Sequence, residues 1–320
     1  SVGRLRYLDL GFFDEHDVEA KLRVLTPAVL APLAGLRASN SDKRTYGHVF
    51  ILGGSRHYPG AVLMSVLAAL RSGVGLVTAF VPESLVPMFA ARAPEAMWVG
   101  WPETPEGNLA LEGRHLLQEK IERATALVVG PGLGQEAETR ALVLDLVKTS
   151  PVSLVIDADA LQPDIVRAGT APRVLTPHLG ELRRVLVGND LYDTPAGRAA
   201  AIVVKGRLTA ITQGGRGGHY SPFGGPVLAR GGSGDLLAGL TGGLLAQTPR
   251  EPLLAAHRGV VWHGLAADAL ARAHGQTAVQ TTQLLDFLPV ALRAVPCEAW
   301  RSRVSAGTEP PGPHGTGYQP

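Results

Sequence analysis

One cysteine, Cys297, stands in 320 residues, which excludes an internal disulfide and any cysteine-rich metal site. Aromatic residues make up only 5% of a chain that is 45% hydrophobic, so aliphatic side chains must build the core. No basic block or interleaved aromatic stripe is present, and 30 basic against 28 acidic residues leave a formal charge of +2, which argues against nucleic acid as a partner. No apolar run reaches the roughly 18 residues of a membrane span, and no signal-peptide pattern appears. The expectation is a soluble cytoplasmic protein with no membrane partner. The chain begins with Ser1 rather than Met, as expected of a trimmed piece of something longer.

What is present is a regular alternation. Short β-branched runs at His48–Leu52, Leu76–Val81, Ala126–Val129, Val152–Ile156, Arg173–Leu175 and Ala201–Lys205 read as buried strands. Between and after them, Gly60–Arg71, Gln135–Lys148, Leu179–Leu186, Asp235–Ala246, Pro252–His274 and Thr282–Val295 read as helices bounded by Pro, Gly or capping side chains. Strand–helix alternation predicts an α/β fold with a mostly parallel sheet in one domain. After Lys205 the texture changes to Leu208–Thr212, Gly218–Ser221 and Val227–Ala229, which reads as an antiparallel meander. Residues 1–22 read as an arm or linker, 23–301 as the domain, and 302–320, rich in Pro and Gly, as a disordered tail. The long C-terminal helices give an expectation of a homo-oligomer.

Three glycine turns carry the chemistry. Gly53-Gly54-Ser55 and Gly130-Pro131-Gly132-Leu133-Gly134 each end a predicted strand, where open parallel sheets bind ligands. Neither has the spacing of a dinucleotide-binding turn, which argues against a Rossmann dehydrogenase. The third, Gly231-Gly232-Ser233-Gly234-Asp235, leads into an apolar helix, so its backbone N–H groups and the helix dipole favour an anion. Asp235 would repel that anion. Its place there fits a proton acceptor for a hydroxyl, a helper in holding magnesium, or a helix-starting charge. Asp157 and Asp159 at a strand end fit a metal contact, a ribose contact or a helix cap. His178 fits either a ligand contact or a structural cap, with Glu181 at capping-box spacing. Lys205, followed by Gly206, fits a strand-end lysine that reaches a phosphate or one that is solvated. His257 and His263 lie six apart on one helix, so they share no metal-binding face and read as structural.

The ordered set Tyr46-Gly47, Ile51-Leu52-Gly53-Gly54-Ser55, Gly60-Ala61, Ala69-Leu70-Arg71-Ser72-Gly73, Gly130-Pro131-Gly132, Asp157-Ala158-Asp159-Ala160-Leu161, Thr176-Pro177-His178, Lys205-Gly206 and Gly231-Gly232-Ser233-Gly234-Asp235 resembles the ADP/ATP-dependent NAD(P)H-hydrate dehydratases. The resemblance runs from about Tyr46 to Pro289. It implies a ribokinase-like three-layer α/β/α sandwich and dehydration of the (S)-hydrate of NADH or NADPH, with ADP as donor and AMP and phosphate as products. By the same resemblance Asp235 is the base. Ala61, Gly132 and His178 line the hydrate pocket, Gly232, Ser233 and Gly234 hold the transferring phosphoryl group, and Lys205, Gly206, Arg207, Leu208, Thr209 and Gly234 hold the nucleotide. Magnesium bridges the phosphates, with no protein ligand assigned.

The chain departs from the family pattern twice. Leu179 stands where proline is frequent, and Pro222–Pro226 lacks the usual asparagine and glycine, which bears on the nucleotide. The segment Val2–Asp14 resembles the linker to an N-terminal NAD(P)H-hydrate epimerase domain in bifunctional bacterial members, so such a domain is an expected partner. Two other readings use the same residues: a vitamin-precursor kinase of the same fold, and a non-catalytic nucleotide-binding regulator.

Overall fold

Strands such as Ala126–Val129 and Ser153–Ile156 are buried at every residue, the environment of a central strand covered on both faces. The computed structural model describes residues 22–186 and 191–295; the arm up to residue 21, the tail and Cys297 lie outside the described residues. In chain order the strands are β1 (Leu22–Val24), β2 (His48–Leu52), β3 (Leu76–Pro82), β4 (Met97–Trp101), β5 (Ala126–Val129), β6 (Ser153–Ile156), β7 (Arg173–Leu175), β8 (Ala201–Val204), β9 (Thr209–Gln213) and β10 (Arg216–Ser221). The helices are α1 (Ala31–Ala34), α2 (Pro59–Arg71), α3 (Val86–Arg92), α4 (Arg114–Gln118), α5 (Ala137–Thr149) and α6 (Pro163–Arg167), then α7 (Leu179–Leu186), α8 (Pro195–Ala199), α9 (Ser233–Gln247), α10 (Pro252–His274) and α11 (Leu284–Arg293).

The strands form one sheet in the order β1-β10-β9-β8-β7-β6-β5-β2-β3-β4. Neighbours from β8 to β4 are parallel, β8, β9 and β10 run antiparallel, and β1 adds parallel to β10. The chain steps outward from β2 through β3 to β4, then returns to β5 and steps the other way to β8. The reversal lies between β2 and β5, and beyond the carboxyl ends of such a pair an open sheet leaves a crevice.

Alternate side chains enter opposite layers. Val49 and Ile51 of β2 join Val66 of α2, Leu240 of α9, Val261 of α10 and Leu288 of α11, whereas Phe50 and Leu52 join Leu142 of α5, Ile165 of α6 and Val185 of α7. The result is the expected three-layer α/β/α sandwich. The scarce aromatics are shared between the layers: Phe89 and Trp262 are buried in the first, and Phe50, Phe80 and Trp101 pack in the second with ring centroids 5.2 Å and 6.0 Å apart.

Several details differ from the sequence reading, among them the short helices α1, α3, α4, α6 and α8, which it did not name. Val227–Ala229 is no strand: Pro226–Leu228 forms a 3-10 turn, started by proline and closed by Leu228 N–H on the Gly225 carbonyl and Ala229 N–H on that of Pro226. The C-terminal segment divides into a turn at Thr281–Gln283 and then α11. Strands β1 and β4 were not foreseen, since β1 is three residues long and exposed throughout and β4 is only partly buried. No helix among the described residues is long and apolar enough to cross a membrane.

Helix α9 is buried from Leu236 to Ala246, and glycine lets it sit that deep. A Cβ on Gly239 would overlap the Ser65 carbonyl oxygen of α2, and one on Gly242 would overlap Val128 of β5. These opposed effects give a clean test. Helix propensity alone makes Gly239→Ala stabilising by about 1 kcal/mol, whereas overlap with a backbone atom makes it destabilising by about 1 to 3 kcal/mol. The overlap should win in urea unfolding, and a raised midpoint would contradict the close packing.

Candidate active site

The first two glycine turns meet at the reversal between β2 and β5. Gly54 N–H donates to the Pro131 carbonyl at 2.8 Å, and a Cβ on Gly53 would lie 2.5 Å from the same oxygen. A side chain on Gly132 would likewise lie 2.5 Å from the Tyr58 carbonyl and 3.0 Å from Ala61 Cβ. Ala61 and Gly132 are therefore brought together.

The third turn opens α9. Gly232 occupies the N-cap with φ 87°, a left-handed backbone that favours glycine. Ser233 Oγ donates to the Leu228 carbonyl at 2.8 Å, and no side chain caps the helix. Among the described residues no protein group accepts from the N–H of Gly234 or Asp235. These donors and the positive helix end face an anion's place. The loop before them is pinned from behind: Arg230 donates to the carbonyls of Gln276 and Thr277 at 2.7 Å, and Thr281 Oγ1 to that of Gly231 at 2.8 Å. Ser65 Oγ of α2 holds the Asp235 carbonyl at 2.8 Å.

Burial pushes the Asp235 carboxyl up to about 6, with Asp157 next in effect; Lys205 opposes the rise, and Asp159 and Glu181 add to it. Asp157 directly follows β6 and is 1% exposed, so its charge needs partners. Thr176 Oγ1 donates to Asp157 Oδ1 at 2.7 Å and Lys205 Nζ at 2.9 Å. Burial alone would lower the Lys205 ammonium, but Asp157 and Glu181, the latter 4.0 Å away, hold it above its ordinary value. Lys205 Nζ lies 3.1 Å from where a Cβ on Gly234 would be, over the first turn of α9.

Lys205 is therefore ion-paired rather than solvated. Gly206, Arg207 and Leu208 form the exposed turn after β8, and Thr209 begins β9, at the same end of the sheet. His178 caps α7 by accepting from Gly180 N–H at 3.0 Å on Nδ1, while its own N–H donates to Glu181 at 2.8 Å, as the capping-box spacing predicted. The imidazole stays exposed. In its neutral form the proton sits on Nε2, since Nδ1 accepts.

Asp159 caps no helix; its Oδ2 accepts from the N–H of Gly134 in the second glycine turn at 3.0 Å, tying that turn to the end of β6. No group of three or more metal-ligating side chains occurs among the described residues. His257 and His263 of α10 are held neutral by burial, each lowered to about 4, and His257 packs on His219 at 4.3 Å. Sequence reasoning passed over Ser65, Arg230 and Thr281. Ser65 left a signal, a polar residue inside the apolar stretch Leu63–Leu67; the other two act through backbone carbonyls, which no pattern reveals.

The family model described as NAD(P)H-hydrate dehydratase matches residues 49–290. The chain belongs to the NAD(P)H-hydrate dehydratase family. It is 35% identical over 309 residues to the bifunctional NAD(P)H-hydrate repair enzyme Nnr of Moorella thermoacetica, with 91% of this chain and 58% of that protein covered. The chain thus spans less than two thirds of that relative. The ADP-dependent (S)-NAD(P)H-hydrate dehydratase of Xanthomonas campestris is 34% identical, with 86% of this chain and 98% of the relative covered. Among solved structures, the ADP/ATP-dependent NAD(P)H-hydrate dehydratase of Bacillus subtilis, co-crystallised with ATP and Mg2+, superposes with a TM-score of 0.72 at 27% identity, covering 86% of this chain and 99% of that one. The sheet order and the dehydratase family agree on a ribokinase-like fold.

A raised carboxyl leaves a mark on stability. Below pH 3.8 Asp235 is protonated whether folded or not; between 3.8 and about 6 the unfolded form ionises first, so stability falls as pH rises through that window and then levels. Asp235→Asn removes the penalty. It should exceed the parent in stability by about 1 to 3 kcal/mol at pH 7.5 and match it near pH 4; equal stability at both would contradict the buried ionisation.

Proposed function

We propose that this chain dehydrates the (S)-hydrate of NADH and NADPH, restoring the reduced nicotinamide, with ADP as phosphoryl donor. The observation that carries this is the position of Asp235, a half-buried carboxyl pushed up to about 6 on the same helical turn whose N–H groups are free. A carboxylate beside an anion hole binds phosphate poorly but accepts a proton from a hydroxyl well. Asp235 takes the proton of the hydrate's hydroxyl, the freed oxygen attacks the β-phosphorus of ADP, and AMP departs. The C–O bond of the new phosphoester then breaks as the adjacent carbon loses a proton, forming the ring double bond and releasing phosphate. The elements of water leave within phosphate and the lost protons.

The backbone of Gly232, Ser233 and Gly234 cradles the transferring group, and Ala61, Gly132 and His178 line the hydrate's place. Lys205, Gly206, Arg207, Leu208 and Thr209 hold the nucleotide. Asp157 and Asp159 are already engaged by protein partners, and no metal-ligating cluster stands among the described residues. Among the described residues magnesium finds no cage, which fits an ion carried chiefly by phosphate oxygens and water. Its chemistry there would be neutralisation of phosphate charge. The ADP-dependent name of the Xanthomonas relative, which this chain covers nearly end to end, supports the choice of donor. An epimerase partner fits this reading, because a pocket selective for the S epimer leaves the R epimer unrepaired.

Asp235→Asn should reduce turnover by at least about a hundredfold, the scale of a lost general base, while calorimetry still detects ADP binding. Near-parental turnover would remove Asp235 from the role of base. In the parent, kcat/KM should fall on the acidic side with a midpoint near pH 6, where Asp235 takes up its proton. A profile flat down to pH 5 would contradict that assignment.

A further inference from the structure

The place of Lys205 is electrostatically odd. Its ammonium lies over the first turn of α9, the positive end of a helix, where a cation is disfavoured. Left to itself, the flexible side chain would swing toward solvent. Asp157, whose Oδ1 is 2.9 Å from Lys205 Nζ, counters this most strongly, with Glu181 at 4.0 Å and Asp235 adding to it.

Asp157 is itself tightly held. Its N–H donates to the Val129 carbonyl at 3.1 Å, and its own carbonyl presses so close to Gly130 that a Cβ there would overlap it. The next residue, Ala158, is the one non-glycine described residue with positive φ, at 49°. Thr176 Oγ1 fixes the carboxylate oxygen that Lys205 uses. A chain of contacts thus runs from β7 through β6 and the end of β8 to the anion hole.

We propose that Asp157 is a positioning residue for this site: it parks the Lys205 ammonium against the first turn of α9 and places its own negative charge behind Asp235. This rests on the dehydratase reading for its functional meaning but not for its test. The charged groups acting on Asp235 are Asp157 and Asp159 after β6, Glu181 on α7 and Lys205 after β8, while His263 of α10 lies within electrostatic reach of Lys205 and is held neutral by burial. Asp157 raises Asp235 by more than Lys205 lowers it, so removing Asp157 lowers Asp235 whether or not Lys205 stays.

The test needs no substrate. In the full chain, the Asp235 carboxyl is titrated by carbon NMR, and methylation of Lys205 by formaldehyde and borohydride is followed by peptide mass spectrometry against exposed Lys43 and Lys148. Asp157→Asn should lower the Asp235 midpoint by about 0.5 to 1 unit and speed Lys205 methylation several-fold. A purely structural role would lower the melting temperature and move neither. Should Asp157→Asn fail to fold, Thr176→Val, which removes only the orienting hydroxyl, should move both in the same direction by less. A folded variant in which neither quantity moves overturns the proposal. Absence of dehydratase turnover in the parent would instead count against the function reading, and the titration would still decide Asp157.

Discussion

Everything at this site depends on how deeply α9 is sunk into the protein. A helix carrying glycine at Gly239 and Gly242 lies against α2 on one side and β5 on another, with no room for side chains at either point. That burial fixes where the helix begins, and therefore where its free N–H groups and its positive end point. It also partly withdraws Asp235 from water, and burial is the largest cause of its raised pKa. One packing constraint therefore sets both the direction of the free helix donors and the raised pKa of the carboxyl beside them.

The sheet supplies the rest by topology. Because the chain reverses direction between β2 and β5, the glycine turns after those strands face one another, and the loops ending β6, β7 and β8 follow along the same rim. Residues as far apart as Ala61, Gly132, Asp157, Thr176, Lys205 and Asp235 thus belong to one end of one sheet. The ion pair of Asp157 and Lys205 then joins that rim to the start of α9, across 48 residues of sequence.

Much of this was legible beforehand, for identifiable reasons. Buried parallel strands are continuous aliphatic runs, so β2, β5, β6 and β8 were plain, and the three glycine turns announced the binding end of the sheet. His178 with Glu181 showed a capping box because the pattern is local. What sequence could not show was pairing. Asp157 read as a metal contact, ribose contact or cap, and Lys205 as a lysine that reaches a phosphate or is solvated, because each was considered without the other. Short or half-exposed β1 and β4 lack a periodic signal, and the strand expected at Val227–Ala229 ignored the turn-forming force of Pro226. Arg230 and Thr281, which brace the anion-hole loop through backbone carbonyls, left no trace in side-chain patterns.

The account turns on a phosphoryl transfer that ends in dehydration rather than in a stable ester. The most direct measurement mixes the protein with hydrated NADH, magnesium and ADP, and follows the absorbance of reduced nicotinamide together with released phosphate. The account predicts that absorbance returns and that one phosphate and one AMP appear for each nicotinamide restored. Nucleotide binding without recovery of absorbance with either ADP or ATP, or accumulation of a stable phosphoester, would contradict it.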